Sequence, residues 1–185
     1  MLAVKRSLAI AFALLIVAPI LLVAQRRVAG FIEPMPTAKL KELFPKAVAF
    51  TPRGEKDPLY FTAYAVDPVK SPNAKPVGYA FWTLDIVPEE RGYHGHIHML
   101  VGMTPQGRIA GLIMDINTEP YGDISINLPD FPNQFIGKSI RDRFEVGQDV
   151  DLTSRATITV RAAAREIRES SRIVARAVLQ PADVR

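Results

Sequence analysis

Residues 151–157 read Asp-Leu-Thr-Ser-Arg-Ala-Thr, so hydroxyls at Thr153, Ser154 and Thr157 lie close to the carboxylate of Asp151 and the guanidinium of Arg155. A helical pattern follows directly. Val160, Ala163, Ala164, Ile167, Val174 and Val178 recur at the three-and-four spacing of one helix face. Small hydroxyl and acidic residues suit a helix start because their oxygens satisfy amides that lack an intrahelical acceptor. The same start offers free N–H groups and the positive end of the dipole, which suit a phosphate. Arg155 and Arg161 would add fixed charge nearby. Two readings follow: a plain capped helix, or a threonine hydroxyl that carries a phosphate-containing cofactor.

Three other groups of residues could do chemistry. His94, His96 and His98 alternate, so on a strand they would share one face and could bind copper or zinc. Gly92 and Gly95 point instead to a turn, and no further ligand completes a set. A solvated or substrate-facing role is therefore read for them, and no metal site is assigned. Residues 117–137 are rich in proline, glycine and asparagine, and irregular stretches of that length are commonly functional or packed against something. Glu119, Tyr121, Phe131 and Phe135 within them could flank a flat aromatic ligand, or plug a small core. Arg161, Arg165, Arg168, Arg172 and Arg176 recur at helical spacing opposite the apolar stripe. They read as a solvated face partly neutralised by Glu166 and Glu169, or as a docking face for an acidic partner or anionic lipid.

The elements that must position these groups are modest in number. The chain has 185 residues, 48% of them hydrophobic, enough for one domain with a core and an appendage. It contains no cysteine, which excludes disulfides, thiolate zinc sites, cysteine-ligated clusters and cysteine-attached haem. A net charge of +4 without clustered basic and aromatic residues gives no sign of nucleic-acid binding. Residues 8–24 are an apolar run broken only by Pro19, between Lys5 and Arg6 on one side and Arg26 and Arg27 on the other. A spanning helix needs about 17 to 25 apolar residues, whereas the core of a cleaved signal runs to about 7–15. An uncleaved transmembrane anchor is expected, with the short basic tail inside and the domain outside.

Residues 28–37 read as a linker, and a short helix is expected over residues 38–44, capped by Thr37 and stopped by Pro45. Residues 59–66 and 77–87 read as strands. The clearest hairpin joins residues 97–103 to 108–116 through Thr104-Pro105-Gln106-Gly107, the residue order of a type I turn.

Five short motifs then follow in order: Gly92-Tyr93-His94-Gly95, Met99-Leu100-Val101-Gly102-Met103, Gly107-Arg108-Ile109-Ala110-Gly111, Glu119-Pro120, and Asp151-x-x-Ser154-x-Ala156-Thr157. In these the chain resembles the FMN-binding domain family. That family includes one subunit each of the sodium-translocating NADH:quinone reductase and of the Rnf complex, and also the NosR-type membrane regulators. Phe44-Pro45-x-Ala47, Val77-Gly78-Tyr79 and Ser154-Arg155-Ala156-Thr157 look most like the NosR-type branch. The resemblance covers about residues 38–180. It implies FMN joined through its phosphate to the hydroxyl of Thr157, made from FAD by a flavin transferase that reads the Asp151 and Ser154 context. Other branches commonly carry glycine where this chain has Arg155. The candidate cofactor-binding set is therefore Thr157, Asp151, Ser154, Arg155, Ala156, Glu119, Tyr93 and Tyr121. NosR-type proteins continue into several membrane helices and cysteine-rich segments, which this sequence lacks.

The expectation is an α+β chain in four parts. Residues 1–27 form a transmembrane anchor and residues 28–37 a linker. Residues 38–180 form one FMN-binding domain with a small antiparallel sheet and a long C-terminal helix, and residues 181–185 a tail. The expected role is an extracytoplasmic flavoprotein on the inner membrane, periplasmic side. It would relay electrons to or from a partner redox protein or membrane complex, since no nicotinamide fingerprint or nucleophile–base pair is present. The alternative is a structural or assembly subunit of a membrane complex that keeps the fold without using flavin.

Overall fold

The computed structural model describes residues 33–184, and from Met35 onward the chain folds as one compact unit. Helix α1 (Thr37–Leu43) leads into strands β1 (Ala49–Thr51), β2 (Phe61–Tyr64) and β3 (Pro76–Trp82). A single helical turn, α2 (Thr83–Ile86), follows directly on β3. Strands β4 (His98–Met103) and β5 (Ile109–Ile116), a 3-10 turn (Gly122–Ile124), the short α3 (Asp130–Asn133) and α4 (Thr157–Val178) complete the domain. The strands form one antiparallel meander in the order β1-β2-β3-β4-β5. This is an α+β fold with a five-stranded antiparallel sheet and a long C-terminal helix. The anchor expected over residues 8–24 lies outside the described residues. Among the described residues no helix is long and apolar enough to cross a membrane.

The sheet is covered on both faces, and every residue of β4 is buried. On one face α1 seats Leu43 and Phe44 in a trough of glycines. A Cβ on Gly78 would come within 2.1 Å of the Phe44 ring, and one on Gly102 within 3.3 Å of Leu43 Cβ. On the other face Met99, Val101 and Met103 of β4 meet Val160, Ile167 and Val174 of α4, all fully buried. Each such side chain contributes about 1.5 to 3 kcal/mol relative to exposure. The 22-residue α4 is thus held mainly by its apolar stripe, over a length of about 33 Å.

Two sets of residues with open roles are placed here. Phe131 and Phe135 belong to the core, 5.1 Å apart edge to face, with Phe135 stacking on Phe144 at 5.8 Å. They plug the domain core, one of the two roles left open from sequence. The arginine row on α4 is also only partly solvated. Arg172 donates to the carbonyls of Ile140 and Asp142 (both 2.9 Å), and Arg168 to that of Arg143 (3.3 Å). These bonds staple the loop 139–144 to the helix, and Arg161, Arg165 and Arg176 stay exposed.

Candidate functional site

Helix α4 begins at Thr157, but not through the expected cap. The flanking residue is Ala156, and no side chain caps the helix. The first helical bond runs from Val160 N–H to the Ala156 carbonyl (2.9 Å), so the amides of Thr157, Ile158 and Thr159 have no acceptor within the helix. Arg155 enters the helix with φ of 70°, in the left-handed region that favours glycine. The motif therefore leaves the helix start open to an anion instead of closing it with its own hydroxyls.

A cleft of about 400 Å³ lies at this end of the helix, lined by Tyr93, Tyr121, Arg155, Thr157, Ile158 and Thr159. Its size is in the range that holds small ligands. Tyr93 and Ile158 are 64% and 57% exposed, so their apolar surface is open at the cleft. Thr157 is half-buried, and its hydroxyl makes no hydrogen bond among the described residues. Thr159 differs: it is buried and its hydroxyl donates to Glu119 Oε2.

Glu119 is the keystone beneath the cleft. It is 7% exposed, and its carboxylate accepts N–H bonds from Tyr93 (3.0 Å), His94 (2.9 Å) and Gly95 (3.1 Å) besides the Thr159 hydroxyl. Burial pushes the pKa of this acid up, but the hydroxyl and the three amides together outweigh burial and hold it below the usual value. One carboxylate thus ties the turn 92–95, the loop 117–128 and the first turn of α4 together. Gly92 makes room for it, since a Cβ there would lie 2.5 Å from Glu119 Oε1. Tyr121 is set by the loop itself, where Asn117 bonds Asn127 (2.7 Å), Asn127 bonds Asp123 (3.0 Å) and Ser125 bonds the Tyr121 carbonyl (2.7 Å).

Of the residues singled out from sequence, Thr157, Arg155, Tyr93 and Tyr121 line this cleft, and Glu119 supports it. Ala156 is buried at the helix start, while Asp151 and Ser154 are exposed and do not line the cleft. Ile158 and Thr159 escaped that set. The signal for Ile158 was present, because it is an isolated apolar residue off the stripe of α4. The histidines go separate ways. His94 bonds Thr118 (3.2 Å), His96 the Glu90 carbonyl (3.2 Å) and His98 the Asp115 carboxylate (2.7 Å). Among the described residues no three His, Asp or Glu side chains converge as a metal site would require.

Residues 92–170 match the family model of the FMN-binding domain. The match supports a flavin-binding protein with FMN as its cofactor, and it spans every residue of the cleft. No curated protein matches the chain in sequence. The cleft has a donor set that fits FMN. Open amides and Arg155 suit its phosphate, and Tyr93, Tyr121 and Ile158 offer apolar surface for its flat ring.

Proposed function

We propose that this chain is a membrane-anchored, extracytoplasmic flavoprotein that carries FMN covalently on Thr157 and relays electrons to or from a partner redox protein or membrane complex. One observation carries the attachment point. Thr157 is the cleft threonine whose hydroxyl is uncommitted, at a helix start with open amides and Arg155 alongside. The competing Thr159 hydroxyl is already spent on Glu119. When bound, FMN supplies one- and two-electron chemistry, and the protein supplies position and charge. The open amides and Arg155 would hold its phosphate, and the tyrosines would flank its ring. The apolar residues 8–24 support the anchor, and a phosphoester to Thr157 would prevent loss of flavin outside the cytoplasm. The NosR-type features in residues 44–47, 77–79 and 154–157 favour that branch of the family.

The test is an intact mass of the protein from its native membrane, for wild type and for Thr157→Val. Wild type is expected to keep yellow colour and an FMN mass increment after denaturation. Thr157→Val keeps the shape and removes the hydroxyl, so it should fold and lose both. Flavin that stays attached to the Thr157→Val protein after denaturation would refute the assignment.

A further inference from the structure

Two turns beyond Thr159 on the same side of α4, Glu166 is 1% exposed, and neither carboxyl oxygen has a hydrogen-bond partner among the described residues. The Thr83 hydroxyl beside it has one proton, which it gives to the Met99 carbonyl (3.4 Å). Glu166 lines a cleft of about 360 Å³, separate from the flavin cleft, between α4 and the segment 86–90. Ile86, Val87 and Pro88 give this cleft an apolar wall. Its charge is unbalanced. Arg165 is paired with Glu90 (2.6 Å), and Glu169 is paired with Arg168 (2.8 Å). Glu89 and Glu166 are left without a basic partner among the described residues.

We propose that this second cleft binds an organic ammonium group, with the charged head against Glu166 and Glu89 and an aliphatic stem along Ile86, Val87 and Pro88. The apolar wall favours such a stem over a bare cation. The acidic side chains do not converge in the manner of a metal site. Burial pushes the Glu166 acid up to about 8, with the nearby Thr83 hydroxyl opposing and Glu90 adding to the shift. At pH 7 the carboxyl is therefore neutral, and an arriving ammonium ion replaces its proton, which leaves to solvent. Glu89, Glu90, Glu169 and Arg165 are the other charged groups around it, and all remain in place.

Calorimetric titration of the full chain at pH 7, in two buffers of different ionisation heat, reads that proton directly. The probes are cadaverine, a free diamine, and Nα-acetyl-lysine amide, which presents a peptide lysine. Binding of either with release of about one proton per site supports the proposal, and the tighter probe identifies the source as a free amine or a protein lysine. Glu166→Gln mimics the neutral acid, so it should fold, lose the proton release and bind about tenfold more weakly. Glu89→Gln, on the exposed rim, should weaken binding while the proton release persists. The proposal falls if neither amine binds at about 10 mM. It falls equally if binding releases no proton, or if the release survives in Glu166→Gln.

Discussion

Glu119 and Glu166 are both buried carboxyl groups set against α4, one at its first turn and the other two turns further along. Opposite Glu119 the turn 92–95 points three amides inward, and the acid is held below its usual range. Opposite Glu166 the chain keeps its amides for itself: Val87 N–H bonds the Thr83 carbonyl (2.8 Å) and Glu90 N–H the Val87 carbonyl (3.2 Å). That acid is pushed up to about 8. Burial is common to both, so the donors that the neighbouring backbone can spare decide which group is charged. The charged one braces a site, and the neutral one is left to respond to what arrives.

The strongest way to break this contrast is to remove the braced carboxylate. Glu119→Ala would leave the Tyr93, His94 and Gly95 amides and the Thr159 hydroxyl without their acceptor. At about 1 kcal/mol for each bond once water refills the space, a loss of about 4 kcal/mol is expected in urea unfolding. Flavin loading should fall with it, because the turn that carries Tyr93 is released. The pH dependence follows from the sign of the shift. A depressed acid stabilises the fold above its unfolded pKa, and that contribution is lost as pH falls below about 4.5 and through the still lower folded value. Wild type should therefore lose stability on acidification more steeply than Glu119→Ala. Equal slopes would show that the four bonds count for little.

The second way is to fix Glu166 in its neutral form. Its raised pKa means that stability is fully present below about 4.5 and is lost as pH rises through about 8. Between those limits the folded chain holds a proton that the unfolded chain has lost, so stability falls by up to about 1.4 kcal/mol per pH unit. Glu166→Gln should flatten this slope, and the variant should equal or exceed wild type at pH 8. Urea midpoints at pH 6, 7 and 8 would decide it. An unchanged slope would mean that Glu166 is already ionised in the folded protein.

How far the sequence carried these sites depends on the range of the interactions involved. The β4–β5 hairpin was legible because Thr104-Pro105-Gln106-Gly107 encodes its own turn, and Gly107 does take a positive φ of 71°. Helix α4 was legible because its stripe repeats over 22 residues. Short elements were not. The strand expected over residues 77–87 ends at Trp82, where α2 begins, and β1 has only three residues. Thr37 was expected to cap the first helix but is its first residue, with Pro36 as the flanking position and no side-chain cap. The role of Glu119 depends on a partner 40 residues away, Thr159, and no local pattern reveals such a bond. Glu166 sits beside Arg165 in a row that looks solvated, and only tertiary packing, with Thr83 beside it, makes it buried.

The smallest expected effect concerns the backbone at the flavin end. Arg155 holds a φ of 70°, which costs a residue with a Cβ about 1 to 2 kcal/mol. Glycine relieves that cost but gives back about 0.5 to 1 kcal/mol through the freedom it adds to the unfolded chain. Arg155→Gly is therefore expected to be at least as stable as wild type, with a gain of up to about 1.5 kcal/mol. Arg155→Ala keeps the Cβ and so should show no gain, although it loses the same charge. Both variants remove a cation from the cleft, so any shared loss of flavin loading belongs to the guanidinium and any difference in stability to the backbone. If both variants gained equally, crowding of Arg155 against its neighbours would be the cause. The positive φ would then be a comfortable conformation of this turn and not a strained one.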